Sequence, residues 1–109
     1  MMSSSAPILY SGFYDFPLAL TVRWQGDLYV FVRDFDEDVD EYEDEYRVFL
    51  MPPLTDEEIR SSWLRIEHRA TRPVGKIAVK DVRFDATHRK EIDTAVLRAL
   101  RAPREVALR

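Results

Sequence analysis

Apolar residues in the first half of the chain fall into short runs that are typical of β-strands. Residues 18–24 and 27–35 are rich in branched and aromatic side chains, and the Gln25-Gly26 pair between them can adopt the positive φ values of a two-residue hairpin turn. Residues 28–32 are apolar without alternation, which predicts a strand with both faces at least partly covered. A third run at 46–51 completes a predicted antiparallel meander.

The apolar period changes to that of a helix after Leu54. Thr55 is a good N-cap, Glu58 stands three residues later to complete a capping box, and Leu54 can pack on Ile59. Apolar residues then recur at helical spacing, which predicts a buried stripe of Ile59, Trp63, Ile66 and Ala70. We expect this helix to end at residues 73–75, which read Pro-Val-Gly.

The last third of the chain combines an extended segment with a second predicted helix. In residues 76–84 the apolar phase slips, so we expect a bulge or bend at 80–81. The second helix is predicted to begin near Asp85 or Thr87 and to reach about Arg101. Its inward residues would be Ile92, Val96, Ala99 and Leu100.

These elements predict one α+β domain over residues 1–109, with a three- to four-stranded antiparallel meander sheet packed by two helices. Residues 1–6 are expected to form a flexible terminus. Residues 6–17 are expected to be ordered but not regular, as an irregular loop or a short edge strand around residues 8–10. The composition, 46% apolar and 33% charged, is typical of a globular protein. No stretch approaches the roughly 20 apolar residues of a membrane span. The first residues do not resemble a secretory signal, so a cytoplasmic location is expected.

Charge is distributed unevenly along the chain. Residues 1–59 contain 14 acidic and 3 basic residues, whereas residues 60–109 contain 6 acidic and 13 basic residues. Nine of the 20 carboxylates lie within residues 34–45. Such a run predicts a solvated connection, a surface for a cationic partner, or a metal-binding loop.

The metal interpretation depends on how well the run matches the calcium loop of EF-hands. Asp34, Asp36, Asp38 and Glu45 match its first, third, fifth and twelfth positions. The sixth position requires glycine for its sharp turn, but Val39 stands there, and the flanking residues predict strands instead of helices. We therefore predict no metal site and no cofactor.

The recognition interpretation follows from the aromatic residues among the acids. Carboxylates steer and pair with arginine or lysine, while the ring of Tyr42 can stack on a guanidinium group. Phe35, Val39 and Tyr46 could add contacts, although the tyrosines could instead anchor the run to the sheet. Basic residues of the second half could also neutralise the run internally. The candidates for that role are Arg65, Arg69, Arg72, Lys76 and Lys80. The predicted partner-binding residues are Asp34, Asp36, Glu37, Asp38, Asp40, Glu41, Tyr42, Glu43, Asp44 and Glu45.

A second candidate site is the aromatic segment at 10–17. Its side chains could line a small pocket in which a carboxylate fixes a polar group. The favoured role for these aromatic side chains is to cover a small sheet. The residues of this predicted ligand pocket are Tyr10, Phe13, Tyr14, Asp15 and Phe16. The two histidines, His68 and His88, have no partner at catalytic or metal-ligand spacing.

The preferred hypothesis is a small, non-enzymatic interaction module whose acidic run binds a cationic protein surface, as an immunity, antitoxin-like or accessory protein would. The alternative is a small-ligand-binding protein or enzyme that uses residues 10–17, with or without a divalent metal. The basic second half suggests nucleic-acid binding, but the nearby carboxylates would repel a phosphate backbone and argue against it. Pairing of the acidic run with the basic half of a second copy would give a homodimer.

Overall fold

The described part of the protein is a six-stranded antiparallel sheet with little helix. The computed structural model describes residues 5–14, 16–84 and 91–100, apart from the side chains of Phe13 and Tyr14. The strands stand in the order β5-β4-β3-β2-β1-β6. Their bounds are β1 Ser5–Tyr14, β2 Phe16–Trp24, β3 Asp27–Asp36, β4 Glu41–Met51, β5 Arg72–Ala78 and β6 Glu91–Asp93.

The helical segments are short. Helix α1 spans Asp56–Arg60, and residues 95–100 form α2 as far as the description extends. Single 3₁₀ turns occur at Ile66–Arg69 and Val79–Asp81. Within the described ranges, no helix has the length and apolar character needed to cross a bilayer. The predicted α+β class, with three or four strands packed by two helices, is therefore wrong, because the fold is mostly β.

The central hairpin is confirmed. Trp24 pairs with Asp27, and the two residues between them have positive φ, 51° at Gln25 and 84° at Gly26. Positive φ at both central residues is the requirement of a type I′ turn, whose twist matches that of the flanking strands.

Strand β3 lies inside the sheet and is buried on both faces, as its unbroken apolar run predicts. Tyr29 and Phe31 belong to a core that also contains Tyr46, Val48 and, from α2, Val96 and Leu97. Leu28 and Val30 belong to a second core with Ile59 and Ile66. Because side chains alternate along a strand, the two cores lie on opposite faces of the sheet.

The first predicted helix is interrupted, although its start is as predicted. The side chain of Thr55 accepts a hydrogen bond from the backbone of Glu58, and the Glu58 side chain accepts one from the backbone of Thr55. The helix then ends at its C-cap Ser61, and Arg65 adopts a left-handed conformation with φ 57°. A short helix and a 3₁₀ turn still bring Ile59 and Ile66 into one core, with Trp63 and Ala70 packed against it.

The residues predicted to end that helix belong to a strand. Pro73 and Gly75 lie in β5, at the edge of the sheet among the described residues. Val48 pairs with Gly75 and Phe49 with Pro73, so Val74 is an extra residue at a bulge. Proline is tolerated at edges and bulges because its missing N–H is not needed there. A Cβ added at Gly75 would lie 3.3 Å from a methyl carbon of Leu100, so α2 approaches this strand closely.

The structure also differs from the sequence predictions in the first strand and in the last third of the chain. The strand predicted as one alternative around residues 8–10 is present but longer, because residues 5–14 form β1 and residues 16 and 17 belong to β2. β1 has one irregularity at Gly12, where φ is 70°. The predicted second helix is instead strand β6 at 91–93, which pairs with β1 through Ala6 and Ile92, followed by helix at 95–100. Its predicted start at Asp85 or Thr87 and its end at Arg101 lie outside the described residues. The expected bend near residue 80 is present as the 3₁₀ turn, which buries Val79.

Candidate functional site

The acidic run forms a two-stranded extension of the sheet, which we call the acidic hairpin (residues 34–45). Pairing of β2 with β3 ends at Ala19 and Val32, and pairing of β4 with β5 ends at Glu45 and Ala78. Beyond those points, the strands described pair only with each other, through Phe35–Tyr42 and Asp36–Glu41. The run is therefore mostly strand and not only a connection between strands, because the turn occupies just residues 37–40.

The turn of the acidic hairpin is held by its own side chains and backbone. The N–H of Asp38 donates a 2.9 Å hydrogen bond to Oδ1 of Asp36. Asp40 has φ 56°, a left-handed conformation that aspartate tolerates better than most residues. Asp36 and Asp40 therefore stabilise the conformation of the turn in addition to contributing negative charge.

A bulge separates the acidic hairpin from the sheet. Arg33 pairs with Tyr46 and Phe35 with Tyr42, so residues 43–45 of β4 stand opposite the single residue Asp34. Arg33 donates a 2.9 Å hydrogen bond from Nε to the carbonyl of Glu43, within this irregular stretch. The Arg33 side chain is 4% exposed. A buried guanidinium therefore supports the backbone at the base of the hairpin.

Aromatic rings pack on one side of the acidic hairpin. The rings of Phe35 and Tyr42 meet edge to face with centroids 5.1 Å apart, and the guanidinium carbon of Arg33 lies 5.9 Å from the Tyr42 ring centre. Phe35 is still 46% exposed, and Val39 in the turn is 61% exposed. Tyr46 instead lies in the core, where its hydroxyl donates to the carbonyl of Pro17 at 2.7 Å. The anchoring alternative thus holds for Tyr46.

Arg47 joins the other side of the hairpin base to the body of the protein. It makes two hydrogen bonds to Asp34 and lies 3.6 Å from Oε2 of Glu67, and its guanidinium carbon is 5.1 Å from the Phe49 ring centre. The hydrogen bond to Asp34 raises the pKa of Arg47 above its usual value, with burial opposing and nearby carboxylates adding to the effect.

Three acids of the hairpin have ionic partners within the chain. Asp34 pairs with Arg47, Glu45 lies 3.5 Å from Nζ of Lys76, and a fully exposed Asp44 lies 4.0 Å from Arg33. Six carboxylates have no basic nitrogen within 4.0 Å among the residues that the structure describes. They are Asp36, Glu37, Asp38, Asp40, Glu41 and Glu43. Of the five basic residues expected to neutralise the run, Lys76 alone does so within the described part of the chain.

Arg33 and Arg47 pair with acids of the hairpin but are not among the counter-charges predicted from the sequence. Both belong to the strands that carry the acidic hairpin, whereas the predicted counter-charges lie in the basic second half. Strand alternation could have predicted that Arg33 is buried, because it points to the same face of β3 as the buried Tyr29 and Phe31.

The predicted aromatic pocket stays a prediction, because the structure describes the side chains of only Tyr10 and Phe16 among its five residues. Phe16 lines a cavity of about 380 Å³ at the base of the acidic hairpin. Tyr10 is 40% exposed and is not among the residues lining that cavity. Asp15 and the side chains of Phe13 and Tyr14 lie outside the described residues.

The calcium-loop positions do not converge in the described part of the chain. No group of three or more aspartate, glutamate or histidine side chains there is arranged to hold a metal ion. Asp34, the first position of the template, is bound by Arg47. His68 is exposed in the 3₁₀ turn, and His88 lies outside the described residues.

Comparisons with protein-family models, with curated proteins and with solved structures found no match to this chain.

Proposed function

We propose that the acidic hairpin binds a cationic surface of another protein. The observation that supports this proposal is the set of six carboxylates, defined above, that have no ion pair within the described residues although they lie close together. Neighbouring like charges repel one another, and a cationic partner relieves that repulsion. Complementary charge also accelerates encounter with such a partner and disfavours acidic ones.

Apolar side chains within the charged surface could form the hydrophobic centre of the proposed interface. Val39 at the turn and Phe35 on the strand are both largely exposed for residues of their type. Scattered exposed apolar residues are ordinary, but here Phe35 packs against Tyr42, and Val39 stands in the turn of the same hairpin. Aromatic side chains surrounded by polar groups are typical of the residues that dominate interface energetics.

The hairpin backbone is held by strand pairing and by its base, which favours binding without a large ordering penalty. Its strands are paired up to Asp36 and Glu41, and its base is held by Arg33 on one side and Arg47 on the other. A surface that is already in its bound shape loses less conformational entropy on association. An immunity, antitoxin-like or accessory role in the cytoplasm is the concrete form of this proposal.

Affinity capture from the native host with matched variants tests the proposal. The hairpin variant Asp38→Asn/Asp40→Asn/Glu41→Gln changes three exposed acids of the hairpin. The control variant Asp27→Asn/Glu57→Gln/Asp81→Asn changes three exposed acids elsewhere. Both sets consist of two aspartates and one glutamate, so the change in net charge is identical.

The proposal predicts a protein with a basic surface that the wild type and the control variant capture and the hairpin variant does not. Capture that disappears on adding salt would agree with the charged contact. If every captured protein is retained equally by both variants, the hairpin is not the binding surface. Size-exclusion chromatography of the purified chain identifies the case in which the partner is a second copy.

A further inference from the structure

We propose that a basic surface around Leu64 binds the acidic hairpin of a second copy of this chain. The inference rests on the proposed function of the hairpin and adds the surface that the hairpin contacts. We call residues 60–72 the basic segment, which contains four arginines and one acid. The arginines are Arg60, Arg65, Arg69 and Arg72, and all four are exposed.

The arginines of the basic segment have no ionic partner in the described part of the chain. No carboxylate there lies within 4.0 Å of their guanidinium groups. Arg69 donates a 2.6 Å hydrogen bond to the hydroxyl of Ser62, which is a neutral group. The acid of the segment, Glu67, lies 3.6 Å from Arg47 instead. The segment therefore presents positive charge to a partner.

Leu64 gives the basic segment an exposed apolar side chain. It is 89% exposed, whereas Ile66 belongs to the second core and Trp63 packs against that core. On the acidic hairpin, Phe35 is 46% exposed and Val39 is 61% exposed. Each surface thus combines exposed apolar side chains with charges of one sign. Contact between the two surfaces buries apolar area and brings opposite charges together.

The positions of the two surfaces favour a reciprocal contact between two copies. Arg47 bonds Asp34 at the hairpin base and approaches Glu67, so the hairpin base and the basic segment are neighbours. Within the described residues, the ionic partners of the hairpin acids are Arg33, Arg47 and Lys76, and none belongs to residues 60–72. Each copy therefore carries both halves of a complementary interface. In a two-fold dimer, each hairpin contacts the basic segment of the other copy, so the same contact occurs twice.

Sedimentation equilibrium of the purified full chain tests the inference. The segment variant Arg60→Gln/Arg65→Gln changes two exposed arginines of the basic segment, and the arginine control Arg83→Gln/Arg98→Gln changes two exposed arginines elsewhere. Both variants lose the same charge. We expect the wild type and the arginine control to dimerise alike and the segment variant to dimerise about tenfold more weakly, with the difference shrinking at high salt.

Leu64→Ser tests the apolar part of the contact without a change in charge. Because the Leu64 side chain is already exposed in one copy, the substitution should leave thermal unfolding of the monomer unchanged. It should weaken dimerisation several-fold, since the dimer loses the buried apolar area.

Mixing two variants tests whether the hairpin and the basic segment meet each other. When the hairpin variant is mixed with the segment variant, one of the two contacts joins an unaltered hairpin to an unaltered segment. We expect the mixed dimer to form more tightly than the dimer of either variant alone, because losses on both sides of one contact cost less than their sum.

The inference is overturned if the wild type is a monomer at every concentration, if the segment variant dimerises as tightly as the wild type, or if mixing brings no gain. A monomeric chain whose basic segment binds an acidic host protein would also contradict it. In each of these cases, capture of a basic host protein through the hairpin would still support the proposed function, so the two failures are distinguishable.

Discussion

Asp34 and Arg47 face each other across β3 and β4 in a bidentate ion pair, with 2.6 Å between Oδ2 and Nε and 2.7 Å between Oδ1 and Nη2. The pair stands where the sheet ends and the acidic hairpin begins. Arg47 also approaches Glu67 and the ring of Phe49, so it links the hairpin base to the segment that covers the second core. We infer that this contact holds the direction in which the hairpin leaves the sheet.

Replacing Asp34 by Asn should destabilise the protein, because it removes one partner of a bidentate pair. Both side chains are about one third exposed, so solvent screening limits the loss to about 1 kcal/mol. Urea unfolding at low and high salt measures the loss, which should be smaller at high salt. Glu43→Gln removes the same charge from an unpaired site and is the matched control. Equal effects of the two substitutions would contradict a role for the pair.

The turn between β2 and β3 offers two substitutions with opposite expected signs. Gln25 and Gly26 both have positive φ. Asn adopts this conformation more readily than Gln, so Gln25→Asn should stabilise the protein by about 0.5 kcal/mol. Gly26→Ala should destabilise it by about 1 kcal/mol, because a Cβ is strained at φ 84° even though nothing lies within 4 Å of it. Thermal unfolding measures both, and a shift in the same direction for the two variants would contradict the assigned turn.

Glu58 should contribute to the pH dependence of stability. Hydrogen bonds from Thr55, chiefly from its backbone, lower the pKa of Glu58 in the folded state. The folded protein therefore binds fewer protons than the unfolded chain in the acid range. The stabilisation is complete above the unfolded pKa of Glu58 and is lost as the pH falls through the folded pKa.

The variant Glu58→Gln should therefore lose less stability than the wild type when urea unfolding is repeated from neutral to acid pH. Glu57→Gln is the control, since Glu57 lies in the same first turn but makes none of the capping-box bonds. A pH profile of Glu58→Gln that runs parallel to the wild-type profile would contradict the capping role.

Local signals in the sequence predict the parts of the fold that local chemistry determines. Gln25-Gly26 specifies a turn, the apolar run in β3 specifies a strand inside the sheet, and Thr55 with Glu58 specifies a helix start. Each of these depends on residues within about one turn of one another. The charge and exposure of the acidic hairpin are also predictable locally, because nine carboxylates lie within residues 34–45 and charged side chains are rarely buried.

The remaining parts depend on contacts between distant segments. Ile59 and Ile66 have helical spacing, but a short helix and a 3₁₀ turn, separated by the left-handed Arg65, bury the same two residues. Pro73 is typical of a residue that ends a helix, but in the structure it lies in β5, next to a bulge at Val74. The hairpin base could not be assigned from the sequence, because the pairing of Asp34 with Arg47 depends on the register of β3 against β4.

The salt dependence of partner binding tests the central claim most directly. The dissociation constant of the captured protein would be measured over a range of ionic strengths for the wild type, the hairpin variant and the control variant defined above. We predict that the hairpin variant binds about tenfold more weakly at low salt, or ~1.4 kcal/mol, with a shallower salt dependence, while the control matches the wild type. Binding of the hairpin variant that equals the wild type at every ionic strength would contradict the account.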